Sequence, residues 1–166
     1  SDIKNSLRDL PTIEKYEGTL PERRELWYDI SKIRIRISSN EFDLRNAEKT
    51  GYVDSISLAQ SRLADAKERY IEYGEYVLKN RDKYSDEDLL RLSGPFGLYD
   101  GWDVINEYSI EQFVKDLPAK IEAYRKDVSK VVREEVKAMP RKDQELFSVL
   151  KLLAAMNGEY ISEDMD

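Results

Sequence analysis

The sequence of 166 residues contains no cysteine and no histidine. The absence of cysteine excludes disulfide frameworks and thiol nucleophiles, and the absence of histidine excludes every histidine-based catalytic triad. Without either residue the chain also has no cysteine or histidine ligands for zinc. It has no apolar run of about 18 residues that could span a bilayer. These absences point away from most familiar catalytic chemistry and from a transmembrane segment.

The composition that remains fits one soluble globular domain, with 40% apolar and 37% charged residues in 19.4 kDa. The net charge of -7 is the difference between 27 basic and 34 acidic side chains. Four of the acids lie in residues 159–166, which contain no base. We therefore divide the chain into an N-terminal arm, 1–18, a helical-bundle domain, 19–158, and an acidic C-terminal tail, 159–166.

Few features suggest a nucleic acid or an anionic membrane as a partner. Lys32, Arg34 and Arg36 form the one basic run of note, and a solvated helix face is the commoner use of such a run. Binding to nucleic acid needs a more sustained basic surface, so it is not expected. The first twenty residues contain no apolar segment of the kind that a signal peptide has.

A capping box and a heptad pattern predict the first long helix. Thr19 and Glu22 have the spacing of a capping box, and Pro21 falls in the first turn, where the helix does not need its N–H. Apolar residues and one amide then recur at alternating spacings of four and three: Leu26, Ile30, Ile33, Ile37, Asn40, Leu44 and Ala47. This seam is typical of a helix that packs against one neighbour along its length.

A second helix with the same pattern predicts a helical hairpin. Gly51 interrupts the first seam, and Asp54 or Ser55 can cap the next helix. The second seam consists of Ile56, Ala59, Leu63, Ala66, Tyr70, Tyr73 and Val77. Because the connection is short, the two helices must be antiparallel, each about 40 to 45 Å long at a rise of about 1.5 Å per residue.

The second half of the chain predicts a short helix, an irregular break and a third long helix. Ser85 caps a short helix, and the glycines and proline of residues 93–104 predict an irregular stretch. Ser109 and Gln112 form a capping box before a third stripe, which consists of Ile110, Val114, Leu117, Ile121, Tyr124, Val128 and Val131. Pro118 predicts that this helix bends or restarts near Asp116 and Leu117.

A final helix is predicted after Pro140, with an inward face formed by Leu146, Leu150, Leu153 and Met156. The predicted fold is therefore all-α. It consists of an antiparallel coiled-coil-like helical hairpin, a kinked third long helix and a C-terminal helix, which together form an elongated helical bundle.

Pairs of carboxylates are the main hint of catalysis or metal binding, and they are weak. Such pairs occur at Asp86 with Asp88, at Asp100 with Asp103 and at Glu134 with Glu135, but chance produces them in a chain with 34 acids. No calcium-loop spacing, ExxH motif or glycine-rich phosphate loop is present. We predict that the chain is not an enzyme and that it uses no metal and no cofactor.

The candidate binding site is a loop that combines aromatic and acidic side chains, namely Phe96, Tyr99, Asp100, Trp102 and Asp103. One interpretation is that Phe96, Leu98 and Trp102 plug the open end of the bundle. In the other, Tyr99 and Trp102 present flat faces while the acids accept hydrogen bonds, as a sugar ring or a polar protein loop requires. Tyr70, Tyr73 and Tyr76 provide either a second contact strip or, more simply, part of the core.

The segment in which Gly94, Pro95, Phe96, Tyr99 and Asp100 form a GPF-x-x-Y-acid arrangement follows two long helices and precedes a third, with a tryptophan soon after it. This order resembles the kinked three-helix-bundle receptor-binding modules of S-type pyocins and related colicin-like bacteriocins. The resemblance implies a non-catalytic module that adsorbs to a target bacterium through a cell-surface glycan or a receptor protein. It also implies a secreted or extracellular protein.

Two other functions fit the same residues. The first is a cytoplasmic coiled-coil adaptor or assembly protein, in which Asn40 sets the register or oligomeric state and exposed heptad edges pair with another helical protein. The second is an acidic inhibitor that mimics nucleic acid, suggested by the net charge and the acidic tail. The basic residues interspersed along the chain argue against the second.

Overall fold

The computed structural model describes residues 10–99 and 108–137, and this part of the chain is an all-α bundle without strands. Its four α-helices are α1, Arg23–Thr50; α2, Val53–Lys79; α3, Asp86–Phe96; and α4, Ile110–Lys137. Short 3₁₀ turns lie at Ile13–Tyr16 and Arg81–Lys83. The prediction of an all-α helical bundle is confirmed. The predicted C-terminal helix lies outside the described residues.

Helix α2 is the centre of the bundle. It packs against α1 along one side and against α4 along the other, and α3 contacts both α1 and α4. The largest fully buried side chains in the core between these helices are Tyr70, Tyr73, Phe96, Phe113, Leu26, Ile30, Ile33, Leu92, Leu117, Val77 and Ser93. None of the helices described here is both long enough and apolar enough to cross a membrane.

The predicted hairpin seam is confirmed in its central part. In α1, the residues from Leu26 to Asn40 of the seam are buried, and Leu44 and Ala47 are half-buried. In α2, every seam residue from Ala59 to Val77 is buried and Ile56 is half-buried. The Asn40 amide donates a hydrogen bond of 3.2 Å to the Arg62 carbonyl, which satisfies the one polar side chain in the seam.

The first two helices begin at residues other than those predicted. Helix α1 starts at Arg23, with Glu22 as N-cap and a capping box between Glu22 and Glu25, because Glu25 lies close enough to accept from the Glu22 N–H at 2.8 Å. Thr19 instead donates its N–H to Tyr16 and closes a turn of the arm. The N-cap of α2 is Tyr52, ahead of the predicted Asp54 or Ser55.

The stretch that was predicted to be irregular is helical as far as Phe96. Gly94 and Pro95 lie inside α3, which ends at Gly97 in a left-handed conformation. The Gly97 N–H bonds the Gly94 carbonyl and the Leu98 N–H bonds the Ser93 carbonyl, a Schellman arrangement. The prediction was wrong because burial of Pro95 and Phe96 outweighs the loss of one helical hydrogen bond at the proline.

Helix α4 begins as predicted and continues through its proline. The Ser109 N–H donates to the Gln112 side chain at 3.1 Å, and the Gln112 N–H donates to the Ser109 hydroxyl at 3.2 Å, which confirms the capping box. Pro118 is exposed, and the helix does not restart there. Its packing face includes Phe113, which is 1% exposed and was missing from the predicted stripe.

The close approach of α4 to α2 depends on Gly74. A Cβ atom at this position would lie 2.7 Å from the Cδ1 atom of Ile121, so a larger residue would require the Ile121 side chain or the helices to shift. Lys67 pairs with Asp127 at 2.9 Å, and Arg125 pairs with Glu75, so charged side chains also connect the exposed edges of the two helices. The small residue and the ion pairs therefore fix α4 close to the central helix.

The end of α3 provides a test with a matched control. Gly97 has a φ of 75°, and a Cβ atom there would collide with the Arg34 guanidinium, whereas a Cβ atom at Gly94 meets nothing within 4 Å. We expect Gly97→Ala to lower the free energy of unfolding by about 1 to 3 kcal/mol. Gly94→Ala should leave it unchanged or raise it by up to about 1 kcal/mol. Urea unfolding followed by circular dichroism measures both, and equal effects would contradict the structure.

Buried tyrosines predict loss of stability at alkaline pH. Burial raises the pKa of Tyr84 to about 12 and also raises that of Tyr70, and their hydroxyls donate to the carbonyls of Pro21 and Phe96. In the unfolded chain tyrosine loses its proton near pH 10. This contribution to stability is therefore fully present below pH 10 and is lost as the pH rises towards about 12.

The measurement is urea unfolding at a series of pH values, with Tyr84→Phe as the control. Phenylalanine cannot ionise, so the variant should show a shallower fall in stability over this range than the wild-type chain. A stability that stays constant above pH 10 in the wild-type chain would refute the assignment of the raised pKa values.

Candidate functional site

The structure places Phe96, the first residue of the predicted binding loop, in the core. Its ring has no exposed surface and packs edge-on against Tyr70 at 5.3 Å and against Phe113 at 6.5 Å between centroids. Its carbonyl accepts a hydrogen bond of 2.6 Å from the Tyr70 hydroxyl. In this position the ring stabilises the bundle and offers no surface to a ligand.

Tyr99 is the other loop residue that the structure describes. It is half-buried, packs against the core and lies 5.5 Å from the Tyr108 ring, between centroids. Asp100, Trp102 and Asp103 lie outside the described residues. The structure thus describes two of the five predicted residues, and of these it buries Phe96 and leaves part of the Tyr99 side chain accessible.

The predicted basic run does not form one surface. Arg34 is half-buried and donates from Nη1 to the Gly94 carbonyl at 3.0 Å, so it holds the end of α3 against α1. Lys32 is exposed and lies on another side of the helix, because residues two positions apart are separated by about 200° around the helix axis. The run therefore divides between a structural contact and the solvent-exposed side of α1.

A buried carboxylate near the N-terminal arm is the main titratable cluster in the described residues. Asp29 is 7% exposed and accepts hydrogen bonds from the hydroxyls of Tyr16 and Tyr73, the latter at 2.8 Å. Lys15 also donates to it, at 2.9 Å. Burial and the hydrogen bond to Asp29 raise the pKa of both tyrosines above the usual value, so both remain donors at neutral pH.

The hydrogen bonds of this cluster connect the N-terminal arm to two helices. The Asp29 carboxylate already has three donors, and two of them, on Lys15 and Tyr16, belong to the arm. The arm also borders an open depression of about 690 Å³ beside Tyr76 and Asn80. Asp29 therefore acts as the anchor between the arm, α1 and α2.

The predicted carboxylate pairs do not assemble into a site in the described residues. Asp86 and Asp88 both lie in the first turn of α3. The Oδ1 atom of Asp88 lies 3.7 Å from the Nε atom of Arg23. No group of three potential metal ligands occurs among the residues described. Asp100 and Asp103 lie outside those residues, and so do the side chains of Glu134 and Glu135.

An apolar stripe on the solvent side of α1 was not predicted from the sequence. Tyr28, Ile35 and Phe42 are 60%, 69% and 56% exposed and are spaced by seven residues. On a helix of 3.6 residues per turn they lie opposite the buried seam, and no described element covers them. The signal was present in the sequence, but the stronger seam on the same helix concealed it.

Small and aromatic neighbours shape this stripe, which we call the outer face of α1. Ser31 and Ser38 lie between the three large side chains along the helix. At one end the Trp27 ring packs edge-on against Tyr28, with 5.6 Å between centroids, and at the other Arg45 lies over the Phe42 ring at 6.0 Å. The face therefore alternates large apolar and small polar side chains along the helix.

The anchoring role of Asp29 predicts strong coupling to Tyr73. Asp29→Ala leaves the fully buried Tyr73 hydroxyl without an acceptor, which should cost about 1 to 3 kcal/mol. Combining it with Tyr73→Phe should cost less than the sum of the two single changes, by about 1 kcal/mol. Urea unfolding of the wild-type chain, the two single variants and the double variant measures this coupling. The control Asp43→Ala removes an exposed carboxylate of the same helix and should change stability by no more than about 0.5 kcal/mol.

Comparison with family models, with curated proteins and with solved structures found no match to this chain. The resemblance to bacteriocin receptor-binding modules accordingly stays a prediction. Function must be argued from the chain's own residues, and the outer face of α1 is the described surface with the most distinctive pattern.

Proposed function

We propose that this chain is a helical recognition module that binds a helical segment of a partner protein along the outer face of α1. The observation that carries the proposal is the exposure of Tyr28, Ile35 and Phe42 in one line opposite the buried seam. Single exposed apolar residues are common on protein surfaces and need no explanation. Three large ones at the same position of successive heptads supply one of the two apolar positions of a coiled-coil contact, with Ser31 and Ser38 at the other.

The dimensions of the face suit a helix as the ligand. From Tyr28 to Phe42 the stripe is about 21 Å long, at about 1.5 Å per residue. A spacing of seven residues lets a second helix stay in contact with the stripe when the two wind around each other with a left-handed twist. Ser31 and Ser38 leave room between the large side chains for those of the partner.

This proposal is closest to the adaptor hypothesis, with one change. Asn40 bonds to Arg62 inside the hairpin, so its amide is occupied within the chain. The heptad edge available to another protein is on the opposite side of α1. Adsorption to a bacterial surface through the aromatic loop remains a prediction that depends mainly on Trp102 and its neighbours, which lie outside the described residues.

The proposal can be tested by selecting from a phage-displayed library of randomised helical peptides on the immobilised full chain. We expect enriched peptides whose affinity falls by at least about tenfold for the variant Tyr28→Ser/Ile35→Ser/Phe42→Ser. The variant should retain its helicity, since all three side chains are exposed. Titration of purified peptides against both chains measures the difference.

The matched control is Tyr52→Ser/Val53→Ser, which removes equally exposed apolar side chains at the hairpin tip, 70% and 74% accessible, and leaves α1 unchanged. This variant should bind the selected peptides as the wild-type chain does. The proposal fails if no peptide is enriched, or if the selected peptides bind the triple serine variant as tightly as the wild-type chain.

A further inference from the structure

We infer that the partner helix is acidic: an amphipathic helix with apolar residues in heptad register, flanked by aspartate or glutamate. This inference rests on the proposed function and specifies the chemistry of the partner. It follows from the distribution of charge around Tyr28, Ile35 and Phe42, which differs from that of the protein as a whole.

The outer face of α1 is locally basic although the chain has a net charge of -7. On a helical projection at about 100° per residue, Arg24, Lys32 and Lys49 lie within about 60° of the mean direction of the apolar stripe, and no acidic residue of α1 does. All three bases are exposed. The nearest acids, Glu25 and Asp43, lie about 80° from the stripe.

The basic side chains of this face have no acidic partners among the described residues. Arg24, Lys32 and Lys49 take part in none of the ion pairs found there. Some exposed bases elsewhere are paired, as Arg125 is with Glu75. A partner with carboxylates at the flanking positions of its heptads would supply the missing counter-charges, as e and g residues do in coiled coils.

Two other occupants fit the charge less well. In a symmetric pair of chains the basic face would meet a second copy of itself, so that like charges would oppose each other. An anionic bilayer would attract the face but repel the rest of a chain that carries -7. A short acidic helix contacts only the face itself, and charges more than about 8 Å away are largely screened at physiological ionic strength.

The test uses two synthetic peptides that share leucines at the heptad positions and differ only in the flanking residues, glutamate in one and lysine in the other. Calorimetric titration of the full chain should show binding of the glutamate peptide that weakens as salt is added. Reversing two charges, in Arg24→Glu/Lys32→Glu, should weaken this binding by at least about tenfold and create binding of the lysine peptide.

The control Lys115→Glu/Lys126→Glu makes the same change in net charge on exposed positions of α4. It should bind the glutamate peptide within about twofold of the wild-type chain, since only distant charges have changed. An equal loss in both variants would show that net charge, and not the outer face of α1, governs binding, and would overturn the inference.

Several outcomes separate this inference from the proposed function. The acidic partner is wrong if the lysine peptide binds the wild-type chain more tightly than the glutamate peptide does. It is also wrong if neither designed peptide binds while the library yields peptides that lose binding to the triple serine variant. In both cases the proposal that the outer face of α1 binds a helix is retained. If neither approach yields a binder, the proposed function fails as well.

Two further results would assign the face to another occupant and overturn the inference. One is a dimer in sedimentation that Ile35→Ser abolishes, which would identify a second copy. The other is binding to phosphatidylglycerol vesicles without binding to the glutamate peptide, which would identify a lipid surface.

Discussion

The burial of α2 between α1 and α4 is the constraint on which the rest of the structure depends. A helix enclosed on two sides must satisfy its polar groups within the core, and α2 does so through its tyrosines. Tyr70 donates to the Phe96 carbonyl at the end of α3, and Tyr73 donates to the Asp29 carboxylate, where the N-terminal arm is attached. The same central helix therefore positions both the short helix and the arm.

Helix α1 is in a different position, because the described helices cover only one side of it. Its inward side provides the seam to α2, and Arg34 at the edge of that side secures the end of α3 through the Gly94 carbonyl. The opposite side contributes no buried residue to the core, yet it carries Tyr28, Ile35 and Phe42. Since no described helix covers these large apolar residues, their regular spacing supports the proposed contact with a partner helix.

Sequence periodicity predicted the parts of the fold that repeat and missed the parts that depend on tertiary contacts. The seams of α1 and α2 could be predicted because packing against one neighbouring helix requires apolar residues in a heptad pattern. The capping roles of Ser85 and Ser109 could be predicted because capping depends only on residues close in sequence. The helical state of Pro95 could not, because packing from distant residues decides it. Phe96 was assigned to a loop for the same reason, and the outer face of α1 was missed because its stripe contains only three apolar members.

The contrast between a locally basic face and a net acidic chain narrows what the outer face of α1 can bind. At long range an anionic molecule meets a protein of charge -7 and is repelled, while at contact it meets Arg24, Lys32 and Lys49. A polyanion that relies on long-range attraction, such as nucleic acid, is therefore disfavoured. The proposed acidic helix would gain affinity in two ways at short range. Its apolar heptad side chains would be buried against Tyr28, Ile35 and Phe42, and its carboxylates would pair with the bases of the face. Charge and apolar spacing would together select this partner over others.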